Sequence, residues 1–287
     1  MVLRVSNCKV SISSLFIAAI VLALAAGMHI EMLAALFALG VHEFAHVFAG
    51  SRLGIPIHEI EILPFGGRII SGISDATDES EVIMVLAGPL ANFAAAGFML
   101  GLSYFAILPA KIAWQFINYQ LMLGVFNMLP AFPLDGGRIF ALWLSKHMTF
   151  TSSVRIASHA GKILAYSLLL TAFIGIIFKK INFSLIITGF FLLLQASKEE
   201  ENAHLIFMNY LAKKKEKLLK NQYFPGEIVV VDQEATAKKI LYLFLPKKYF
   251  IVYILDRNME IRKTLTETEI FDIIMEKGLD FKMKELI

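Results

Sequence analysis

The sequence predicts an α-helical polytopic membrane protein with six transmembrane helices, followed by a small α/β domain on the cytosolic side. Three observations carry this expectation. The composition is 57% hydrophobic and only 18% charged, with a mean hydropathy of +0.66, well outside the range of an ordinary soluble domain. The charge is also segregated: of the 27 basic and 24 acidic residues together, 20 lie in the first 197 positions and 31 crowd into the last 90. Finally, the apolar part falls into six runs, uncharged except for Glu43 in the second. One cysteine, Cys8, excludes an internal disulfide, and a net charge of +3 singles out no partner.

The runs follow in order. About 20 apolar residues cross a bilayer core of about 30 Å, and residues 10–30 and 32–51 each supply one such stretch. The first has no convincing small-residue cleavage site and leads straight into another apolar run, so it reads as a span and not as a signal peptide. Residues 82–110 and 112–134 are the third and fourth spans. Residues 163–178 and 181–197 are shorter and joined by Lys179-Lys180, as in a helical hairpin. With both termini inside, nine basic residues (Arg4, Lys9, Arg52, Arg68, Arg138, Lys146, Arg155, Lys162 and Lys198) fall in cytosolic segments, against Lys111, Lys179 and Lys180 outside. That asymmetry favours N-in and C-in.

Two segments lie outside the spans. Residues 55–72, IPIHEIEILPFGGRIISG, alternate around Pro64 and Gly66-Gly67 as a short hairpin would. Its exposed edge would suit an extended peptide held by backbone pairing; a plain surface hairpin is the competing reading. The membrane domain, residues 1–197, is followed by a charged helical linker at 198–222 and a cytosolic domain at 223–287. In the last, EIVVV, ATAKKILYLF, YFIVYILD, EIRKTLT and TEIFDIIMEK give the order β-α-β-β-α.

Chemistry concentrates in GVHEFAHVFAG, within the second run. Ionisable groups in hydrocarbon are expensive and are kept where they are used. On a helix His42 and His46, four apart, face the same way with Glu43 beside them. HEFAH is the H-E-x-x-H pattern, in which two imidazoles hold one metal and the glutamate sits beside the water it activates. The competing reading is a pair of core histidines hydrogen-bonded across a bundle. Catalytic zinc takes a third protein ligand, and the best candidate is Asp135 in GVFNMLPAFPLDGGR. Pro130 and Pro133 break the helix before it and Gly136-Gly137 loosen the chain after it, so the carboxylate can turn inward. An interfacial aspartate is the alternative. His58, His147 and His159 have no partner at ligand spacing and read as surface residues.

HEFAH at 42–46, AGPLAN at 87–92 and NMLPAFPLDGG at 127–137 together resemble the site-2 protease family of intramembrane zinc metalloproteases, most of all its bacterial sporulation branch. The resemblance implies that His42, His46 and Asp135 bind Zn2+, that Glu43 is the catalytic base, and that Asn127 and Pro130 help position substrate. It implies as substrate the pro-sequence of a membrane-associated sigma factor precursor. The expected setting is the mother-cell membrane around the forespore, with membrane-protein inhibitors or regulators as partners and no direct contact with nucleic acid. Asn127 is equally well read as interhelical glue.

The tail resembles a single cystathionine β-synthase (CBS) domain, a module that often binds adenine nucleotides. This implies ATP as a ligand, Thr266 beside its ribose, and a homo-oligomer formed through the domain, because one copy is half of the usual pair. Glu269 stands where an aspartate is usual and Lys263 where glycine is frequent, and substrate docking is the competing role. For the whole chain the rival class is a membrane transporter or metal channel built on the same buried groups. The clustering of those groups at one depth argues against it.

Overall fold

The structure is a computed structural model of the 287-residue chain. It describes all residues except 1, 6–7, 26, 56, 64–65, 72–77, 181, 222, 224 and 245–247. Two compact units are present, one of residues 1–142 with 157–197 and one of residues 143–156 with 198–287.

The first unit opens with strands β1 (Val2–Val5) and β2 (Cys8–Ile12), then helices α1 (Ser14–Ala25) and α2 (His29–Arg52). Strands β3 (Ile57–Leu63) and β4 (Gly66–Ser71) follow, then α3 (Asp78–Tyr104), α4 (Ala110–Asn127), α5 (Asp135–Leu144) and α6 (Phe150–Ile177). Helix α7 (Phe183–Asn221) runs unbroken through 39 residues. The predicted hairpin at 55–72 is present as β3–β4, but it belongs to a four-stranded sheet of order β1-β2-β3-β4 in which β2 and β3 pair in parallel.

Each of the six apolar runs carries a helix. Among the described residues three are long and apolar enough to cross a membrane: His29–Arg52, Glu79–Tyr104 and Phe150–Ile177. The run beginning at Val10 is divided between the end of β2, the 12 residues of α1 and the first turn of α2. At a rise of about 1.5 Å per residue, α1 falls well short of a bilayer core of about 30 Å.

Helix α2 explains how polar groups fit inside this unit. Its buried positions are Ala34, Ala38, His42, His46 and Gly50, one stripe at a spacing of four, while Phe37, Phe44 and Phe48 point away from it. Small residues along such a stripe let neighbouring backbones approach closely. Helices α3 and α4 pack against α2 and against each other, the last contact including Ala96 with Ala113 and Ile117, and Gly124 with Asn92 and Phe93.

In the second unit, β5 (Gly226–Asp232), α8 (Ala237–Leu241), β6 (Tyr249–Leu255), β7 (Ile261–Thr266) and α9 (Glu267–Lys277) follow in the expected β-α-β-β-α order. The sheet runs β5-β6-β7, parallel then antiparallel. Alternation along β6 buries Phe250, Val252 and Ile254 on one face, where Ile240, Phe244, Ile270 and Met283 complete the core and Phe150 packs against it.

Candidate metal centre

His42 and His46 occupy successive turns of the buried stripe of α2 and are 2% and 5% exposed. Their rings meet edge to face with centroids 4.6 Å apart, and their Nε2 atoms are 3.1 Å apart. Asp135, the first residue of α5, completes the group. Its Oδ2 lies 3.0 Å from Nε2 of His42 and 3.1 Å from Nε2 of His46.

The approach to Asp135 is built by the turn after α4. Helix α4 ends at Asn127, and the turn contains Pro130 and a cis Phe132–Pro133 bond. The backbone N–H of Phe132 donates to the carbonyl of Ala157 at 3.0 Å, which ties the turn to α6. Gly136 and Gly137 then lie against the backbone of Met128–Leu129 and Ala131–Phe132, so closely that a Cβ at either would collide with it. The first turn of α5 is thereby pressed onto the segment that precedes it, and Asp135 faces α2.

The donor set matches a metal ion. Nδ1 of His46 sits 2.8 Å from the backbone carbonyl of Met84, a group that can only accept, so Nδ1 carries the proton and donates. A neutral ring in that tautomer turns the Nε2 lone pair toward Asp135. Two imidazole nitrogens and a carboxylate oxygen crowded within about 3 Å of one another are mutually repulsive acceptors unless a proton or a metal cation lies among them. Their separations are close to the edge of a zinc tetrahedron, about 3.3 Å for bonds of about 2.0 Å. Gly88 on α3 borders the rings: a Cβ there would lie 2.6 Å from Cε1 of His46 and 2.9 Å from Cε1 of His42. The space is shaped for those two rings and admits no further side chain.

The structure therefore brings His42, His46 and Asp135 into one group able to hold a metal. Glu43, their neighbour on α2, is half-buried. Asn127 is buried at the end of α4 with Nδ2 donating to the carbonyl of Leu123 at 3.1 Å, and Pro130 is exposed in the following turn. Thr266, in the other unit, is the N-cap of α9. Its hydroxyl accepts from the backbone N–H of Glu269 at 3.3 Å and donates to Oε2 of Glu269 at 2.8 Å.

Sequence reasoning passed over three contributors. Asn92 lies 2.6 Å from Nδ1 of His42 through Oδ1, and Gln120 accepts from Asn92. Both are uncharged polar residues in apolar runs, a signal that sequence does contain. The Met84 carbonyl leaves no signal, being backbone.

Comparison with known proteins agrees with this geometry. Residues 30–110 match peptidase family M50. A zinc metalloprotease of Methanocaldococcus jannaschii is 31% identical over 217 residues, 73% of this chain and 59% of the relative. Stage IV sporulation protein FB of Bacillus subtilis is 24% identical over 172 residues, 60% of this chain and 59% of that protein. The chain thus spans 59% of the length of each of these relatives. In three dimensions, the site-2 protease from Methanocaldococcus jannaschii superposes with a TM-score of 0.60 at 27% identity, covering 70% of this chain and 94% of that one. In sequence and in fold this chain is similar to the site-2 proteases, and its residues 30–110 match the model of peptidase family M50.

Proposed function

We propose that the chain is an intramembrane zinc metalloendopeptidase acting on membrane-associated protein substrates. The observation that carries this reading is the convergence of Nε2 of His42, Nε2 of His46 and Oδ2 of Asp135 at 3.0–3.1 Å, with both histidines on α2, a helix long and apolar enough to cross a bilayer. Zinc held by these three groups would supply Lewis acidity and lower the pKa of a water molecule. Glu43 takes the proton of the attacking water and delivers it to the leaving amine, so one proton enters and leaves the carboxylate per bond cut. The turn at Asn127 and Pro130 leads directly into Asp135, and we assign it to substrate positioning.

The finer reading is that the substrate is the pro-sequence of a membrane-associated sigma factor precursor. It is supported by the motif resemblance and by the likeness to stage IV sporulation protein FB. For the tail we propose substrate docking over ATP sensing, because the Thr266 hydroxyl is already committed to capping α9. A transporter or metal channel is not favoured: among the described residues the buried metal-binding groups form one cluster and no route. The test is cleavage. The purified full chain with zinc, in lipid vesicles, should shorten a co-reconstituted membrane-tethered precursor, and the zinc chelator 1,10-phenanthroline should stop it. Cleavage unchanged by chelation would reject the metalloprotease.

A further inference from the structure

Resting on the metal-centre reading, we infer that Asn92 is a positioning residue that fixes the tautomer of His42, and that Gln120 holds Asn92 in the orientation this requires. Ala38 lies one turn before His42 on the buried stripe of α2, and its backbone carbonyl can only accept a hydrogen bond. Nδ2 of Asn92 donates to it at 3.0 Å. That contact identifies the amino end of the Asn92 amide and turns Oδ1 toward His42. Oδ1 can only accept, so Nδ1 of His42, 2.6 Å away, carries the proton and donates. A neutral imidazole protonated at Nδ1 has its lone pair at Nε2, the atom that faces His46 and Asp135.

The second hydrogen of the Asn92 amino group goes to Oε1 of Gln120 on α4. The amide is thus held from two sides, by α2 and α4, and cannot turn its amino group to His42 without losing both bonds. Asn92 and Gln120 are fully buried and His42 nearly so, which leaves no solvent to take over. The two histidines differ in this respect. His46 is oriented by a backbone carbonyl that no substitution removes, whereas His42 depends on a side chain. Three helices are engaged in fixing one proton on one ring, and groups of this kind behind a metal ligand set its orientation and basicity.

The experiment compares the full-length wild type with Asn92→Leu, Asn92→Asp and Gln120→Leu. Zinc affinity is measured by chelator competition, and the visible absorption band is recorded after cobalt substitution. Asn92→Leu keeps the size and removes the acceptor, and should weaken zinc binding about 10- to 100-fold with an altered cobalt band. Asn92→Asp keeps an acceptor for Nδ1 and should bind zinc nearly as wild type does. Gln120→Leu leaves the Ala38 contact in place and should show a smaller loss than Asn92→Leu. Wild-type affinity and spectrum in Asn92→Leu would overturn the inference. So would equal loss in the Leu and Asp variants, because Asp also forfeits both donor bonds and a purely structural role would feel that. Should Asn92→Leu fail to fold, the Asp variant decides alone, with retained affinity in favour and lost affinity against. A wild type that binds no zinc would reject the metal-centre reading itself, and the inference with it, a result distinct from the failure of Asn92 alone.

Discussion

Lys214 on α7 and Glu267 at the start of α9 form an ion pair at 2.7 Å in which both side chains are 3% exposed. Oε2 of Glu267 also accepts from the backbone N–H of Phe250 at 2.9 Å, and the ammonium lies 5.6 Å from the centre of the Phe250 ring. Burial pushes the Glu267 carboxyl up and the Lys214 ammonium down, each opposed by its partner. Removing one partner strands the other charge in the interior. Lys214→Ala should therefore destabilise this unit by about 3–5 kcal/mol, whereas the double change Lys214→Met with Glu267→Leu should cost far less. Denaturant unfolding followed by amide exchange of β6 and α9 measures both, and equal losses would show that the pair contributes nothing beyond packing.

Glu43→Gln removes the proposed proton acceptor and leaves His42, His46 and Asp135 unchanged. Zinc content should stay at that of wild type while cleavage falls by about 100-fold or more. Cleavage close to wild type would mean that another group takes the proton.

Gly88→Ala places a methyl group against the His46 and His42 rings, and zinc content should fall although α3 gains a better helix former. Gly97→Ala, on the same helix with open space at its Cβ, should keep zinc and be neutral or stabilising by about 0.5–1 kcal/mol. Asp135→Ala should lose zinc as well. Retention of metal by both Gly88→Ala and Asp135→Ala would move the site elsewhere.

Thr266→Ala breaks the capping box of α9 and should lower the stability of its unit by about 1 kcal/mol. The cleavage rate should be insensitive to ATP before and after the change. An ATP response that vanishes with Thr266 while stability holds would restore the nucleotide role.

Glu234 accepts from Lys282 at 2.8 Å and from Lys284 at 3.0 Å, and these bonds hold its carboxyl down at about 2 against an ordinary 4.5. With the folded value depressed, the clamp is fully present above the ordinary value and is lost as pH falls toward about 2. Amide exchange at Met283–Leu286, corrected for its intrinsic rate, should rise over that window. Glu234→Gln should remove the dependence, and a flat profile in wild type would show that the clamp does not hold the turn.

Much of the centre was legible because its parts are expensive. Histidines and carboxylates in apolar runs stand out, and their helical spacing already placed His42 and His46 on one face. Asp135 could be chosen because prolines and glycines around it announced a broken chain. Asn92 and Gln120 were not recognised, since an uncharged amide in an apolar helix is equally consistent with ordinary interhelical packing until its partners are seen. Strand β1, ahead of the first apolar run, and β2, whose end falls within it, were not read as strands, because four or five residues beside a long hydrophobic stretch leave too weak a periodicity. The extent of α7 was hidden for the opposite reason. A change from apolar to charged composition looked like a boundary, yet the backbone follows its helical hydrogen bonds straight through it.

The parallel register of β2 with β3, Lys9 opposite Glu59, has a consequence for how the chain is made. An antiparallel hairpin such as β3–β4 can close as soon as it is synthesised, but parallel neighbours need a crossover, and here the crossover consists of α1 and α2. The pairing can form only after both helices have left the plane of the sheet and returned to it. The strand pairing thus records the path of both helices, and a chain whose α2, with its two histidines, settled the wrong way round would not bring β3 beside β2 in this register.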